Sequence, residues 1–257
     1  MKRPILLVLA TVAMAFAHVA HADRFTVAAA SDLRFALDEI AEIYRQQHVD
    51  HEFNIIYGSS GKMTTQIMNG APYDVFFSAD IAFPERLKQA GFTATEPDVY
   101  AIGRIVLWSN TLDASELRLE DLPTDRRIRR IAIAQPSHAP YGQRAQEALE
   151  SAGVWEAVQP RLVFGENIAH SAQMVESGAA NVGIIALSLA RFPSLARHPF
   201  HLIDDELHHP LTQAYVVTRR AANNEAAQTF ARFMESEEAH QIMERYGFVM
   251  PARESEG

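Results

Sequence analysis

The residues best placed for chemistry lie in the segment 57–63, which reads YGSSGKM. The mainly apolar run 53–56 before it predicts a strand, and a helical pattern closed by Gly70 follows it. Where a strand turns into a helix, several backbone N–H groups are unpaired, and the helix dipole adds a positive field. Such a turn can hold an anion without a cationic side chain, and Ser59 and Ser60 add neutral hydroxyl donors. The segment is not a Walker loop, and a polar turn with a capping serine is the alternative interpretation.

A second unit of the same kind begins near the N-terminus of the mature chain. The run 24–30 predicts a buried strand, and apolar residues at helical spacing follow Ser31 and Asp32. Both residue types are favoured at helix N-caps, which is the alternative to a binding role. For Asp32 capping is the better interpretation, since its carboxylate would repel a bound anion and only its backbone N–H would serve. Ser31 can both cap and donate.

Two more units of strand, polar turn and helix occur in the second half of the chain. Strands are predicted over 131–134 and 161–164, and helices over 143–151 and 168–177, with Asn167 as a favourable N-cap. The alternation of strands and helices predicts an α/β fold with mostly parallel sheets. Ligands of such sheets bind outside the carboxyl ends of the strands, which is where all four turns would lie.

The four units fall into two pairs on either side of a β-rich stretch at 102–108, which indicates two lobes that face each other. A return strand at 213–218 would bring the C-terminal helices back to the first lobe. We predict that 23–104 together with 214–257 forms the first lobe and 105–213 the second, joined by two crossover strands. Two shorter elements are also predicted, a strand over 72–80 and a helix over 115–122.

The N-terminus has the features of a secretory signal peptide over residues 1–22. Lys2 and Arg3 precede an apolar core at 5–16, and an A-x-A motif follows, so cleavage is expected after Ala22. The apolar core is too short to span a bilayer and no later stretch approaches the necessary length, so no membrane insertion is expected. The mature chain is therefore expected in the periplasm.

The charge balance of the chain argues against two classes of partner. The chain has 23 Lys and Arg against 32 Asp and Glu, and the loss of residues 1–22 would leave 21 against 32, a formal charge of −11. An acidic protein is unsuited to nucleic acid or to an anionic membrane. An anion site in such a protein has to rely on local amide dipoles. The chain contains no cysteine, so no disulfide, thiol chemistry or lipid anchor is expected.

The sequence gives little support to an enzyme or a cation site. It lacks a Gly-x-Ser-x-Gly elbow, and the spacing of its serines, acids and eleven histidines suggests no catalytic triad. The adjacent His208 and His209 lie in a loop bounded by proline and lack the spacing of a helical metal site. We expect no catalysis, no cofactor and no metal-cation site.

Seven stretches, distributed in order along the mature chain, form a fairly specific set. They are 28–33 (AAASDL), 58–61 (GSSG), 70–80 (GAPYDVFFSAD), 140–142 (PYG), 166–168 (ENI), 182–185 (VGII) and 246–248 (YGF). Together they resemble the periplasmic molybdate-binding proteins of ABC importers, within the type II solute-binding fold. The resemblance implies a two-lobed fold in which each lobe is a mostly parallel sheet flanked by helices.

The resemblance also implies a ligand set for an oxyanion. Carried over by position, the ligands are Ser31, Ser60, Tyr141 and Ile168. The two serines would supply hydroxyl and N–H donors, and the other two residues backbone N–H groups alone. The neighbours expected to assist are Ser59, Asp32 and Asn167. Some members supply a tyrosine hydroxyl at the position that holds Ala186 here, so the number of donors is expected to differ from theirs.

The function implied by the resemblance is capture without chemistry. The lobes would close by a hinge motion on molybdate or tungstate, and the closed protein, a monomer, would deliver its cargo to an inner-membrane ABC permease. A rigid ring of donors would reject the smaller sulfate by size. A binding protein for another tetrahedral oxyanion such as sulfate or phosphate remains the alternative, and a serine hydrolase is a less favoured one.

Overall fold

The computed structural model describes residues 23–251, so the predicted signal peptide and its cleavage site lie outside the described residues. The central strand of the first sheet is β1 (Asp23–Ala30), which pairs in parallel with β2 (His51–Gly58) and β3 (Val75–Ser78). Its residues Val27 to Ala29 are fully buried, as a strand covered on both faces requires.

Within 23–251 no helix is long and apolar enough to cross a membrane.

The first sheet has the strand order β2-β1-β3-β10-β4, where β4 is Asp98–Gly103 and β10 is Leu211–Val217. Strand β10 runs antiparallel to both of its neighbours. The sheet is therefore mixed: four of its five strands run in one direction and β10 runs against them, because the chain returns from the other sheet in the opposite direction. The predicted return strand begins at Leu211, so the lobe boundary predicted at 213/214 falls inside it; the division of the chain into lobes stays a prediction.

The second sheet repeats this pattern with the order β7-β6-β8-β5-β9. Its strands are β5 (Ile105–Trp108), β6 (Ile131–Ala134), β7 (Leu162–Gly165), β8 (Val182–Ala186) and β9 (Phe200–Leu202). Strand β6 is parallel to β7 and β8, whereas β5 is antiparallel to β8 and β9. Each sheet thus has a parallel side, where strands alternate with helices, and an antiparallel side next to the crossover segments.

Helices cover the sheets, and the longer ones bury one face. They are α1 (Arg34–Gln47), α2 (Ser60–Met68), α3 (Ala82–Gln89), α4 (Pro140–Ser151), α5 (Trp155–Val158), α6 (Ile168–Glu176), α7 (Leu187–Ala190), α8 (Glu225–Phe233) and α9 (Glu237–Arg245). In α1 the buried residues Leu37, Ile40 and Tyr44 follow the helical spacing. Phe230 of α8 packs on Phe25 of β1, with ring centroids 5.6 Å apart, so the C-terminal helices return to the first sheet.

Three predicted elements differ from the observed ones. The stretch 102–108 is divided between β4 and β5 at Arg104, where the chain passes from one sheet to the other. The predicted helix 115–122 is two single 3-10 turns, Ala114–Glu116 and Leu119–Asp121, because Leu117 and Arg118 between them are extended. The predicted strand 72–80 is limited to β3.

Candidate functional site

A small cavity lies where the two sheets face each other, with about 180 Å³ of space between protein atoms, part of which is open to solvent. Its lining comprises Ala30, Ser31, Asp32, Gly58, Ser59, Ser60, Ala79, Ala139, Pro140, Tyr141 and Ile168. Six of the seven predicted ligand residues therefore line one cavity, and Asn167 is the exception. The part of the chain that the structure describes contributes no Lys, Arg or His to this lining.

Three helix N-termini meet at the cavity. Ser60 and Ile168 are the first residues of α2 and α6, and Tyr141 is the second residue of α4. N–H groups at these positions precede the first hydrogen bond of the helix and have no partner within it. Each helix dipole adds partial positive charge at the same place. Helix α4 starts at Pro140, three residues before the predicted start at 143, because proline is well suited to the first helical position.

The Ser31 hydroxyl connects the two sides of the cavity. Its Oγ accepts a hydrogen bond from the backbone N–H of Ala169 (3.2 Å) and donates one to Oδ1 of Asn167 (3.1 Å). The same Asn167 Oδ1 accepts from the N–H of His170 (3.0 Å) and so caps α6, as predicted. Asn167 therefore holds Ser31 and the start of α6 in place without lining the cavity.

The two serines that precede and begin α2 are held in different ways. Oγ of Ser60 accepts from the N–H of Ala79 (3.0 Å), which fixes the hydroxyl. Oγ of Ser59 lies 2.9 Å from Nδ1 of His138, and the N–H of Gly61 donates to the His138 carbonyl (3.0 Å). Burial, and then the charge of a nearby lysine, lower the pKa of His138, so the neutral ring is favoured. His138 thus joins the helix α2 to the opposite side of the cleft.

Asp32 is buried and does not cap a helix, contrary to the capping interpretation. Asp32 lies within a 3-10 turn, Ser31–Leu33, that precedes α1, and its side chain is buried, with 1% of the residue exposed. Its Oδ2 accepts from the Tyr141 hydroxyl (3.0 Å) and from Nε2 of Gln213 (2.7 Å). Its Oδ1 is buried and has no side-chain partner among residues 23–251. Burial raises the pKa of Asp32 to about 6, although hydrogen bonds from Gln213, from Tyr141 and from the backbone N–H groups of Asp32 and Leu33 act in the opposite direction.

A buried polar network extends from Asp32 to both sheets. Oε1 of Gln213 accepts from the Tyr100 hydroxyl (2.7 Å), and the Ser188 hydroxyl donates to the Asp32 carbonyl (2.8 Å). Burial raises the pKa of Tyr100 and of Tyr141 well above the usual value, so both phenols stay neutral. Sequence reasoning missed Gln213, Tyr100, Ser188 and the hydroxyl of Tyr141. The one signal available from the sequence was an amide side chain, Gln213, in the mainly apolar strand β10.

Two cations near the cleft are paired with carboxylates outside the cavity. Nη2 of Arg144 lies 2.6 Å from Oδ2 of Asp80, and both side chains are largely buried. Nζ of Lys62 lies 2.8 Å from Oε1 of Glu166 at the exposed rim. Both ion pairs join the two sides of the cleft, and neither places a cation in the lining of the cavity.

The structure shows no cation site in the described range. Within residues 23–251, no group of three or more His, Cys, Asp or Glu side chains is placed to hold a metal ion. Of the two adjacent histidines, His209 contacts Glu147 through its N–H (2.9 Å) and its ring (3.2 Å). The two histidines lie just before β10 and do not line the cavity.

The arrangement of two sheets around a closed cleft has counterparts among known proteins. Residues 25–249 match the family model described as bacterial extracellular solute-binding protein. This chain belongs to that family. The molybdate-binding protein ModA of Rhodobacter capsulatus is 32% identical over 241 residues, which cover 92% of each chain. ModA of Azotobacter vinelandii is 31% identical over 94% of this chain and 96% of its own.

A solved structure supports the same assignment of the solute-binding protein. The Azotobacter vinelandii periplasmic molybdate-binding protein superimposes with a TM-score of 0.82 at 31% identity, over 88% of this chain and 99% of that one. The two-lobed α/β fold and the resemblance to periplasmic molybdate-binding proteins are therefore confirmed. The family binds solutes and does not catalyse reactions, so at the family level this solute-binding protein is not an enzyme.

Proposed function

We propose that this solute-binding protein captures molybdate, and also tungstate, in the periplasm and delivers it to an inner-membrane ABC permease. One observation carries the proposal: the interlobe cavity is lined by serines and by three helix N-termini, with no cation among its described lining residues. Residues 1–22 are removed as a signal peptide on this account. The ModA relatives, which cover nearly the whole chain, support molybdate as the ligand.

The proposed ligands act by hydrogen bonding to the oxygens of a dianion. Ser31 and Ser60 contribute hydroxyl and N–H donors, and Tyr141 and Ile168 contribute backbone N–H groups. Hydrogen bonds to a charged acceptor are stronger than neutral ones, and amides at helix N-termini add the helix dipole. Neutral donors suit a carrier, because a cargo that is not ion-paired can be released to the transporter.

Selection among oxyanions follows from the rigidity of the cavity. The His138 contacts with Ser59 and Gly61 and the pair of Arg144 with Asp80 fix the distance between the two halves of the site. A ring of donors that cannot contract holds the larger molybdate and tungstate better than sulfate. Sulfate and phosphate remain the alternative ligands, since they accept the same kind of hydrogen bond.

A serine hydrolase is not favoured by the contacts of the Ser59–His138 pair. The pair has the distance of a nucleophile and base, 2.9 Å. A catalytic histidine also needs a third group that orients its ring. Among the described residues no carboxylate is hydrogen-bonded to the ring of His138, and the contact spans the two lobes, so it is better explained as a closure contact.

Titration calorimetry with four sodium salts tests the proposed ligand. We expect saturable heat with molybdate and tungstate, and weak or no heat with sulfate and phosphate. Molybdate should also raise the midpoint of thermal unfolding, as any ligand that prefers the native state does. A flat molybdate trace beside a strong sulfate or phosphate trace would reject the specific assignment while leaving the solute-binding fold intact.

Removal of either serine hydroxyl is expected to weaken molybdate binding. Ser31→Ala and Ser60→Ala should each lose about 1.5–3 kcal/mol, the usual contribution of a hydrogen bond to a charged group, or roughly 10- to 150-fold in affinity. Ser137→Ala, an exposed serine on the turn before α4, is the matched control and should bind like the wild type. Wild-type affinity in both test variants would mean that the ligand occupies another cavity.

A further inference from the structure

Asp32 presents a problem for an anion site, because among the described residues it is the one carboxyl group that lines the cavity. It is 1% exposed, and its Oδ1 is buried with no side-chain partner in that part of the chain, whereas Oδ2 already accepts two hydrogen bonds. A carboxylate and a dianion that lie side by side between the lobes repel each other strongly, since the interior screens charge poorly. Something must neutralise Asp32 when the ligand is bound.

The groups that face Asp32 from each neighbouring element are neutral. Tyr141 from α4 and Gln213 from β10 donate to Oδ2, and Ser188 from α7 donates to the backbone carbonyl. Tyr100 from β4 stands behind Gln213, and burial keeps its phenol and that of Tyr141 protonated. Within residues 23–251 no lysine or arginine forms an ion pair with Asp32. The available neutralising species is therefore a proton.

We propose that Asp32 takes up one proton from solvent when the lobes close on the oxyanion, so that capture of the dianion is coupled to protonation of this carboxyl group. The proton belongs on Oδ1, because Oδ2 is occupied by the two donors, and the carboxylic acid then adds one neutral donor next to Ser31. The inference rests on the proposed function, since it requires an anion in this cavity. It makes Asp32 a residue that sets the pH range of binding.

The proposal has a distinct consequence for affinity. Burial already places the pKa of Asp32 near 6 without a ligand, and a dianion beside it raises that pKa further. At pH values between the pKa of Asp32 in the ligand-free protein and its higher pKa in the complex, each increase of one pH unit should lower the affinity for molybdate tenfold. Replacement of Asp32 by asparagine should remove this dependence, because the amide keeps an acceptor for Tyr141 and Gln213 and places a neutral donor at the Oδ1 position.

Calorimetry in several buffers tests proton uptake directly. The mature full-length protein is titrated with molybdate at pH 7.5 in buffers that differ in ionisation enthalpy, and the number of protons bound is taken from the dependence of the heat on that enthalpy. We expect one proton per anion for the wild type and none for Asp32→Asn, with affinity that falls tenfold from pH 7 to 8 in the wild type alone. Tight binding without proton uptake by the wild type, or unchanged uptake by Asp32→Asn, overturns the inference.

A second variant keeps the test decisive if Asp32→Asn does not fold. Tyr141→Phe retains the backbone donor but removes a hydrogen bond that favours the charged carboxylate. The affinity of Tyr141→Phe should therefore begin to fall at a higher pH than that of the wild type, and an identical pH profile would contradict the inference. Absence of molybdate binding by the wild type would instead reject the proposed function, and this inference with it.

Discussion

Replacement of Gly61 by alanine is expected to leave the protein folded and to lower its affinity for molybdate at least about 100-fold. A Cβ at this position would lie 2.6 Å from the backbone oxygen of His138 on the opposite side of the cleft. Two backbones meet there, so no change of rotamer relieves the clash. The lobes could then not reach the closed arrangement in which Tyr141 and Ile168 face the ligand. The loss of two charge-assisted hydrogen bonds corresponds to about 3 kcal/mol or more, which gives the factor of 100.

Gly61→Ala should not lower the stability of the ligand-free protein. Gly61 is the second residue of α2, and alanine is more favourable than glycine within a helix by about 0.5–1 kcal/mol. We expect the midpoint of thermal unfolding without ligand to be unchanged or higher, and the rise induced by molybdate to be lost. Thermal unfolding with and without molybdate, together with calorimetry, measures both effects.

Lys62→Ala, at the next residue of α2, is the control for Gly61→Ala. It removes an ion pair whose side chains are 45% and 61% exposed, and exposed pairs contribute less than about 1 kcal/mol. Its affinity should stay within about fivefold of the wild type. If Gly61→Ala bound molybdate as tightly as Lys62→Ala, closure at the His138 contact would not be required for binding.

The second large effect concerns stability rather than binding. Because the pKa of Asp32 is raised from 3.8 to about 6 in the folded protein, the folded state binds a proton more tightly than the unfolded state does. The contribution of Asp32 to the free energy of unfolding is thus fully present below about pH 4 and is lost as the pH rises to about 6. The difference amounts to about 3 kcal/mol. Asp32→Asn has no carboxyl group at this position, so its free energy of unfolding does not decrease in this way. Relative to the wild type, its free energy of unfolding should therefore increase by about 3 kcal/mol between pH 4 and pH 6.

Denaturant unfolding of ligand-free protein across pH 3.5–7.5 measures this difference. Asp50→Asn, at an exposed aspartate on the loop after α1, is the control, and its stability curve should run parallel to that of the wild type. A constant difference between Asp32→Asn and the wild type over the whole range would show that burial does not raise the pKa of Asp32. This experiment needs no ligand and is independent of the proposed function.

The convergence of the polar turns could be predicted from the sequence because each turn lies between a strand and a helix, whereas Tyr141 and Ile168 were named only through the resemblance to a family. Ser31 and Ser60 lie at the ends of β1 and β2, which are parallel neighbours, so pattern and chain order alone bring them to one sheet edge. Asn167 was recognised as a helix cap for the same local reason. These inferences need only periodicity, turn chemistry and the rule for parallel sheets.

The network around Asp32 could not be predicted in this way. Gln213 and Tyr100 reach the site from crossover strands that are 181 and 68 positions away along the chain, and their pairing depends on the whole topology. The capping interpretation of Asp32 was wrong because a 3-10 turn displaces the start of α1. The mixed sheets likewise follow from the return path of the chain, which residue patterns do not encode.

The central claim is that a dianion is enclosed between the lobes by neutral donors alone, and anomalous diffraction from crystals grown with molybdate tests it most directly. The account predicts one molybdenum peak in the cavity bounded by Ser31, Ser60, Tyr141 and Ile168. Every protein atom within hydrogen-bond distance of its oxygens should be a hydroxyl, a backbone N–H or the Asp32 carboxyl group. A peak elsewhere, an empty cavity, or a lysine, arginine or metal ion in contact with the anion would contradict it.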